Sequence, residues 1–525
     1  MFESLKFNGI KQYFPDSKSK WISLTKITIP VVLSSLFLSL NNFVDNFMVS
    51  RISGGITAVG LANVWTGIIF SFLISINAIG SIIFSQYWGK KDFVHARMTN
   101  NVRLILNFSL ALLMAIFAWS MPDKMIYLVQ SSSNGVGEIG KTIELAQKYL
   151  FAIAFSWILF AFTVTTSASL RESGSIKASM AFVFLTLILN VSLNLILIPY
   201  LGVVGSAIAT VSARMVTSIG LYTYQFFYKK ELRIVIWKIF DIKKIIWRQY
   251  LKRAWGLFFS VVAGVSISIR VIFWAQGMPA GSLGVDSTDH LYKYWGIGFL
   301  TVSGITSTIA NILFVAYGSI QSNISISVGR KLGQNRIDEA IKEAKMLKGY
   351  MFTFSLILSL FTLIVIFVLS NTELLVGGIK EQVQKGLQDY FKDKHLTIND
   401  NFIQEQQKLA VDYFLRQIFW VSLIIVVLNP FWIQLNTSIN IVAAGGRSNL
   451  TGIWNFALAI GQTLWQAFNV FVLLPLIPDV GFKLIATSLI FYSSDIVKWI
   501  MFEILYLKTK WAINITTNDG DIQIA

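Results

Sequence analysis

The sequence lacks cysteine and has only three histidines in 525 residues. Without cysteine, the protein can have no disulfide bonds, thiolate metal sites or cysteine nucleophiles. His95, His290 and His395 are far apart in the sequence, and no Ser-His-Asp or metal-binding spacing accompanies them. Charged residues are also scarce, at 14% of the chain, whereas about a quarter of the residues in soluble proteins are charged. These absences argue against an enzyme, and we predict no resident cofactor.

Long apolar runs make up most of the sequence. Hydrophobic residues make up 54% of the chain, and its mean hydropathy is +0.62. Twelve runs are each roughly long enough to cross a bilayer as a helix. They lie near 27–49, 59–84, 104–121, 149–170, 178–199, 203–227, 254–276, 296–320, 350–370, 418–443, 451–477 and 484–507. We therefore predict an all-α membrane protein of about twelve transmembrane helices, the first retained rather than cleaved as a signal peptide.

The net charge of +17 indicates membrane topology rather than a nucleic-acid partner. Basic residues concentrate in the loops that follow even-numbered runs, at Lys90, Lys91, Lys229–Arg253 and Arg330–Lys348. Cytoplasmic loops of membrane proteins carry such an excess of Lys and Arg. We predict a multi-pass protein of a bacterial cytoplasmic membrane, with both termini in the cytoplasm.

An internal repeat divides the chain into two halves. Ser85–Gly89, after the second run, is echoed by Gly329–Gly333 after the eighth, and Ile208–Thr210 recurs as Ile485–Thr487. Each half has an even number of runs, so the halves should be related by a pseudo-two-fold axis along the membrane normal. Chance similarity of short segments is the alternative. The predicted units are an amino-terminal six-helix lobe at 1–228, a basic cytoplasmic linker at 229–253 and a carboxy-terminal six-helix lobe at 254–525.

Two segments are unusual in composition. In 229–253, Trp237 and Trp247 interleave with lysines and arginines, which is typical of a linker helix lying on the anionic inner leaflet. A specific lipid-regulatory role is the alternative to a plain linker. The segment 371–411 is polar and mixed in charge, and we predict that it lengthens an external loop.

One motif match points to nucleotide binding but lacks the necessary context. Gly135–Thr142 fits the P-loop pattern, with Gly140, Lys141 and Thr142 at the expected positions. A working P-loop follows a buried strand, precedes a helix and needs a second acidic site for magnesium. This match falls in a predicted external loop between the third and fourth runs, so we do not assign nucleotide binding.

Asp45 is the only acidic residue inside the first apolar run. A charge at mid-membrane depth costs about 2.5–3.5 kcal/mol even on the permissive insertion scale, so such a residue usually faces a cavity and has a function. Asn41 lies one helical turn earlier on the same face, next to Asn42. Pro30, upstream in the same run, removes a backbone hydrogen bond and permits a bend. We predict that Asp45 takes up a proton or holds a sodium ion, with Asn41 and Asn42 in a substrate cavity.

The fifth run carries a polar stripe on an otherwise apolar helix. Thr186, Asn190 and Asn194 follow one another at intervals of four residues, and therefore share one face. Hydrogen bonding between helices is the alternative to a binding role for these side chains.

The sequence resembles the multidrug and toxic compound extrusion (MATE) transporters, within a superfamily that also holds lipid-linked oligosaccharide flippases. The resemblance covers nearly the whole chain and depends on the order and spacing of several segments. These are Pro30 and Asp45 followed by Met48–Gly60, Ser85-Gln86 with Gly89, Leu170–Gly174, Leu189–Asn194, Gly205–Thr210 and Val328–Asn335.

The resemblance implies secondary antiport, in which protons or sodium ions enter while an amphipathic, often cationic compound leaves. The family uses an acid in the first helix, which matches Asp45, supported by polar residues of the fifth helix, which match Asn190 and Asn194. Many members have an acid where Asn194 stands, so this chain should have a single-carboxylate site. Some members also carry acids in the seventh and tenth helices. Their absence deep in those spans argues against a second cation site in the carboxy-terminal lobe.

Two arginines inside the apolar runs depart from this pattern. Arg270 in the seventh run aligns with Asp45 when the first and seventh runs are superposed without gaps, and Arg214 lies inside the sixth run. An arginine in the substrate cavity would repel cations and bind a phosphate through two hydrogen bonds. The alternative is that Arg270 pairs with a carboxylate or extends towards the membrane surface.

The residues and the resemblance together predict ion-coupled export of amphipathic, cationic compounds by alternating access. A flippase for an anionic lipid or lipid-linked precursor is the alternative, with Arg214 and Arg270 holding its phosphate. The predicted partners are a small-molecule or lipid substrate and the bilayer, without nucleic acid, and the protein is predicted to be a monomer. The coupling ion is a proton or sodium, and the only predicted metal is sodium at Asp45.

Overall fold

The computed structural model describes residues 12–49, 52, 55–129, 138–285, 291–372, 377–395 and 400–517. Within these residues the chain is helical, and no strand is found. Ten helical stretches are long and apolar enough to cross a membrane, and two of them, of 53 and 77 residues, are long enough to cross twice. The predicted twelve crossings are therefore present.

The amino-terminal lobe consists of the first six spans. The first four are Lys18–Val49, Gly55–Gly89, Phe93–Ser120 and Glu138–Ser173, and the short helix Pro122–Val129 precedes the fourth. The fifth and sixth spans form a hairpin within Ile176–Tyr228. The chain reverses at Gly202, where φ is 59°, a left-handed value that glycine adopts without strain. Beyond the turn, Gly205 packs against the carbonyl of Leu197, and this close contact brings the fifth and sixth spans together.

The carboxy-terminal lobe consists of the last six spans. The seventh, ninth, tenth and twelfth are Lys244–Gly277, Ile337–Ser370, Asp400–Val442 and Lys483–Lys508. The eighth is broken into Phe299–Phe314, Tyr317–Asn323, a π-helical turn at Ile324–Gly329 and Arg330–Gly333. The eleventh, Ser448–Phe468, follows a π-helical turn at Ala443–Arg447 and continues through Asn469–Leu473 and Leu474–Leu476. A short 3-10 helix, Leu291–Trp295, precedes the eighth span.

The linker differs from its predicted form. Residues 229–253 are not one helix lying on the membrane surface, because only two single 3-10 turns, Lys230–Leu232 and Ile236–Lys238, precede the seventh span. That span begins at Lys244, ten residues before the predicted start of the lobe. Its first turns are held by the amino-terminal lobe, since Gln249 donates a hydrogen bond to the Tyr87 hydroxyl. Only the last ten residues of the predicted linker, with four of its nine basic side chains, thus extend a membrane helix.

The insert at 371–411 is also more ordered than predicted. Its described part contains the helix Gly377–Asp393, and the tenth span begins within it at Asp400. One face of the insert helix is buried against the carboxy-terminal lobe through Ile379, Val383, Leu387 and Phe391. These apolar residues recur every four positions, which is the period of an amphipathic helix. The sequence interpretation did not identify this helix, because its charged face hides the pattern, and the external position of the insert stays a prediction.

The two lobes meet at the end of the molecule that carries the repeated motifs Ser85–Gly89 and Gly329–Gly333, here called the repeat face. A methyl group placed on Gly89 would lie 2.1 Å from the backbone oxygen of Arg330. Nearby, Asn323 donates a hydrogen bond to the Thr28 hydroxyl across the lobe boundary, at 2.9 Å. Small residues allow this close backbone approach, so the lobes are tightly joined at the repeat face.

The remaining sequence motifs contribute no binding site in the described residues. From Glu138 onward the P-loop match is the start of the fourth span, and 135–137 lie outside the described residues. His95 was predicted in a loop but lies in the first turn of the third span, where Nδ1 is 2.7 Å from Asp92 Oδ2. His395 follows the insert helix, and His290 lies outside the described residues.

Candidate functional site

The Asp45 carboxylate lies in a polar pocket inside the amino-terminal lobe. Asn194 of the fifth span donates a hydrogen bond from Nδ2 to Asp45 Oδ1 at 2.5 Å. Thr210 of the sixth span donates to Asp45 Oδ2 at 3.3 Å, and Asn41 donates from Nδ2 to the same oxygen at 3.4 Å. Asp45 is only 8% exposed. The acid predicted from the first run is therefore buried among neutral hydrogen-bond donors from three spans.

Asn190 and Asn194 act together in this pocket. Asn194 also donates to Asn190 Oδ1 at 3.0 Å, while Asn190 donates to the Thr210 hydroxyl at 2.9 Å. The chain of hydrogen bonds fixes the orientation of the groups that contact Asp45. Asn190 and Asn194 of the predicted polar stripe thus form hydrogen bonds between helices, and Asn194 also contacts the acid, while a binding role of the stripe stays a prediction.

The pocket contains more hydrogen-bond acceptors than its own donors satisfy. Asn41 Oδ1 and Asn194 Oδ1 are buried and have no hydrogen-bond partner among the residues that the structure describes. Together with the carboxylate of Asp45, they form a set of oxygen ligands suited to a small hard cation or a proton. The side chain of Asn42 lies outside the described part of the structure, and Pro30 lies inside the continuous first helix.

A central cavity of about 420 Å³ lies between the lobes. Its amino-terminal wall includes Thr186 and Arg214, two of the residues predicted for the substrate cavity. Polar residues from both lobes also line it: Ser34, Asn77, Arg171, Glu172, Gln321, Ser325 and Asn440. Such a mixed surface suits an amphipathic molecule better than a purely apolar one.

Arg214 reaches into this cavity from the sixth span over two stacked aromatic rings. Its guanidinium carbon is 4.9 Å from the Phe70 ring centre and 5.2 Å from that of Phe160. It donates a hydrogen bond from Nη1 to the Ser156 hydroxyl at 3.1 Å. The resident cation therefore already occupies the aromatic surface that would otherwise attract a positively charged ligand.

A second, more apolar cavity of about 650 Å³ lies next to the Asp45 pocket. It is bounded by the end of the first span and the hairpin of the fifth and sixth, including Phe47, Met48, Ile198 and Pro199. Asn194 also lines it. A single amide therefore contacts both this outer cavity and the buried carboxylate, which gives the acid a connection to a space large enough for a ligand.

Arg270 lies apart from Asp45, in a polar cluster of the carboxy-terminal lobe. It donates a hydrogen bond from Nη1 to Gln462 Oε1 at 3.3 Å, and Gln462 donates from Nε2 to Asp495 Oδ1 at 2.6 Å. The indole of Trp432 donates to Asp495 Oδ2 at 3.0 Å. Within the described residues, Arg270 therefore does not pair directly with a carboxylate, as the alternative prediction had it. The Gln462 amide lies between Arg270 and the Asp495 carboxylate.

The sequence interpretation missed two acids inside the spans, the buried Glu172 and the half-buried Asp495. Asp495 interrupts the twelfth run just as Asp45 interrupts the first, but only the seventh and tenth spans were considered for a second acid. Glu172 was noted as part of a motif, yet the structure gives it a buried ion pair with Arg103 at 2.8 Å and a hydrogen bond from Ser81. Its carboxylate lies at the wall of the central cavity.

The chain is similar in sequence and in fold to known proteins. Residues 30–196 match the MatE family. The probable multidrug resistance protein YoeA of Bacillus subtilis is 25% identical over 330 residues, which cover 61% of this chain and 66% of that protein. The match thus spans slightly less than two-thirds of the relative's length.

Solved structures resemble nearly the whole chain. An outward-facing MATE multidrug resistance transporter of the MOP superfamily has a TM-score of 0.68 at 17% identity, covering 96% of this chain and 98% of that one. A mutant of the Vibrio cholerae MATE transporter VcmN has a TM-score of 0.70 at 14% identity, covering 94% and 98%. A MOP superfamily transporter from Pyrococcus furiosus, with a binding pocket described as reversed in polarity, gives 0.67 at 17%, covering 96% and 98%.

These matches concern transporters rather than enzymes, as the sequence predicted. Their twelve helices form two lobes, the architecture that is found here. The resemblance seen in the sequence is thereby confirmed: the chain contains a MatE domain and has the fold of the MATE family of multi-pass membrane transporters.

Proposed function

We propose that the protein is a secondary transporter that exports amphipathic compounds by alternating access, driven by proton or sodium entry. The observation that supports this most strongly is the burial of Asp45 among neutral donors, beside two amide oxygens that have no partner within the described part of the chain. A lone carboxylate in such a pocket gains stability when it takes up a proton or a sodium ion. Asp45 is the coupling group, with Asn190 and Asn194 as its supports.

The hydrogen bonds of Asp45 give the coupling a mechanism. They join the first span to the fifth and sixth, since the carboxylate accepts from both Asn194 and Thr210. A bound cation or proton changes which oxygens can accept hydrogen bonds, and so changes the packing of these three spans. Because Asn194 also lines the outer cavity, the substrate and the ion act on the same helices. An ion shifts the lobes only if it binds the two conformations with different affinity.

The present conformation is assigned to the outward-facing state. The lobes are joined at the repeat face, which the distribution of basic residues predicts to be cytoplasmic. The outer cavity lies at the other end, beside the turn at Gly202. Export ends with substrate release from such a state, after which ion binding at Asp45 favours the return.

The first test is efflux of the cationic dye ethidium from proteoliposomes under an imposed proton or sodium gradient. We expect the gradient of one ion to drive efflux by the native protein and Asp45→Asn to abolish it. Asp123→Asn is the matched control, because Asp123 is exposed and lies outside the pocket. Absence of efflux by the folded native protein would contradict the export of cationic compounds.

A second candidate function, flipping of an anionic lipid or lipid-linked precursor, is supported by Arg214. This guanidinium lines the central cavity and has no ion pair among the described residues. The related transporter from Pyrococcus furiosus, whose reversed pocket polarity is described as suggesting a different function, supports the same idea. Transfer of a fluorescent phosphatidylglycerol between leaflets, lost in Arg214→Gln, would favour this candidate over dye export.

A further inference from the structure

The two lobes contain an acid and an arginine in opposite order. In the amino-terminal lobe the acid Asp45 lies on the first span and Arg214 on the sixth. In the carboxy-terminal lobe Arg270 lies on the seventh span and the acid Asp495 on the twelfth. The internal repeat relates the first span to the seventh and the sixth to the twelfth. The second lobe also has Lys498, one helical turn beyond Asp495, so its cluster has two cations for one acid.

The acid of this cluster is bound by neutral groups rather than by its cations. Asp495 accepts one hydrogen bond from Gln462 at 2.6 Å and another from Trp432 at 3.0 Å. The oxygen of the same Gln462 amide accepts from Arg270. The amide therefore lies between the two charges and keeps them from forming a direct ion pair.

Both cations of the cluster keep unused hydrogen-bond donors. Arg270 uses Nε on the Ser266 carbonyl and Nη1 on Gln462, which leaves Nη2 without a partner among the described residues. Lys498 forms no hydrogen bond or ion pair within the described residues. Neither side chain is fully buried. Two positive charges with free donors at this depth favour a further negative group, because an unpaired charge in a low-dielectric site is costly.

An apolar surface lies beside these free donors. The Arg270 guanidinium carbon is 5.4 Å from the centre of the Phe491 ring, which packs edge-on against Trp274 at 5.1 Å. Trp432 links the cluster to the central cavity, since it contacts Phe314, which in turn packs against the cavity residue Tyr317. Aromatic rings next to paired cationic donors suit a ligand with an apolar body and an acidic head.

We propose that Arg270 and Lys498 form a binding site for the phosphate or carboxylate group of an amphipathic solute, with Asp495 limiting its affinity. The inference rests on the proposed transport function and adds an acidic group to its substrates. The negative charge of Asp495 weakens the attraction of the two cations for an anion without contacting them directly, so the bound group can also leave. A zwitterionic substrate satisfies both lobes, with its cationic group near Asp45 and its acidic group here.

The test compares two probes that share an aromatic body, 2-naphthyl phosphate and 2-naphthylmethylammonium, by calorimetric titration of the purified protein. We expect the native protein to bind the phosphate more tightly. Arg270→Gln and Lys498→Gln should each weaken phosphate binding by about tenfold or more, since hydrogen bonds to charged groups are the strong ones. Asp495→Asn should instead tighten it several-fold, because a competing charge is removed.

Two further variants make the result interpretable. Lys508→Gln is the matched control, because it removes a lysine from the exposed end of the same helix. Arg270→Lys keeps the charge but loses the planar guanidinium fork, so it should bind the phosphate with intermediate affinity. This variant provides the test if Arg270→Gln fails to fold. Unchanged phosphate binding in both Arg270→Gln and Lys498→Gln, or weaker binding in Asp495→Asn, would overturn the proposal.

The lipid around the protein distinguishes the two possible sources of the acidic group, a solute and a lipid headgroup. The affinity for naphthyl phosphate is measured in nanodiscs of phosphatidylglycerol and in nanodiscs of phosphatidylcholine. Equal affinities support a solute as the ligand. A much lower affinity in phosphatidylglycerol shows that the lipid headgroup occupies the site, which contradicts the proposal. Failure of phosphate binding with intact ion-driven efflux would overturn this site alone. Phosphate binding without ion-driven efflux would instead overturn the proposed coupling.

Discussion

Gly333 packs directly against the backbone carbonyl of Gln86, so the two copies of the repeated motif touch across the lobe boundary. A methyl group on Gly333 would lie 1.8 Å from that oxygen, and one on Gly329 would lie 2.2 Å from the Ser85 hydroxyl. Neither contact leaves room for a larger side chain. The repeat that relates the lobes by symmetry also supplies the surfaces through which they close.

Gly333→Ala should therefore shift the protein away from the observed conformation. The added methyl group forces the lobes apart at the repeat face, and rocking of the two bundles then brings their opposite ends together. The distance between spin labels at Tyr200→Cys and Leu476→Cys measures this movement by double electron–electron resonance. The native chain has no cysteine to interfere with the labelling. We expect shorter label distances in the alanine variant.

Gly304→Ala serves as the control for that experiment. Gly304 lies on the same span, and an added methyl group there meets nothing within 4 Å. It should leave the distance distribution unchanged. Equal distributions for Gly333→Ala and Gly304→Ala would show that the glycine contact does not hold the lobes together.

Gln86→Leu should loosen the segment after the twelfth span. The Gln86 amide accepts a hydrogen bond from the backbone of Ile515 at 2.8 Å and donates to the carbonyls of Ile513 and Ala444. A neutral hydrogen bond contributes about 1 kcal/mol, so the Ile515 amide should exchange deuterium about fivefold faster in the variant. Gln407→Leu, which alters a contact to Lys380 in the insert, should not change this rate.

Leu387→Ala should destabilise the carboxy-terminal lobe. Leu387 is fully buried on the inner face of the insert helix, and truncation of such a residue typically costs about 2–5 kcal/mol. A lower thermal midpoint is therefore expected, measured by tryptophan fluorescence. Lys385→Ala, on the exposed face of the same helix, should have little effect. Similar midpoints for the two variants would contradict the packing described for the insert.

Glu172→Gln should destabilise the amino-terminal lobe through its effect on Arg103. The Arg103 side chain is completely buried and pairs with Glu172 at 2.8 Å, and removal of one partner of such a pair costs about 3–5 kcal/mol. The double variant Arg103→Met with Glu172→Leu removes both charges and should recover much of the loss in thermal midpoint. Additive losses would show that the pair acts through separate contacts.

The sequence was sufficient to predict the helical class, the number of spans, the repeat and the proximity of Asp45 to Asn190 and Asn194. These features follow from the length of apolar runs, from the four-residue spacing of polar side chains and from segments that match the family. The helical class, the spans and the repeat depend on local pattern or on internal symmetry, which a single chain displays directly. The position of Asn190 and Asn194 beside Asp45 followed from the resemblance to the family.

Contacts between distant spans could not be predicted in the same way. The partner of Arg270 is on the eleventh span, 192 residues later, and no spacing rule links them. Asp495 was detectable by the criterion applied to Asp45, but the comparison with the family directed attention to other spans. The insert helix also had a readable pattern, in Ile379, Val383 and Leu387, which its polar composition obscured.

The central claim is that Asp45 couples ion entry to substrate export. It is tested most directly by recording ethidium and the coupled ion together in one proteoliposome preparation, with an internal pH or sodium indicator. We predict that ethidium efflux through the native protein is accompanied by entry of one ion, and that Asp45→Asn loses both fluxes. Gradient-driven efflux with ion entry in correctly folded Asp45→Asn would contradict the account.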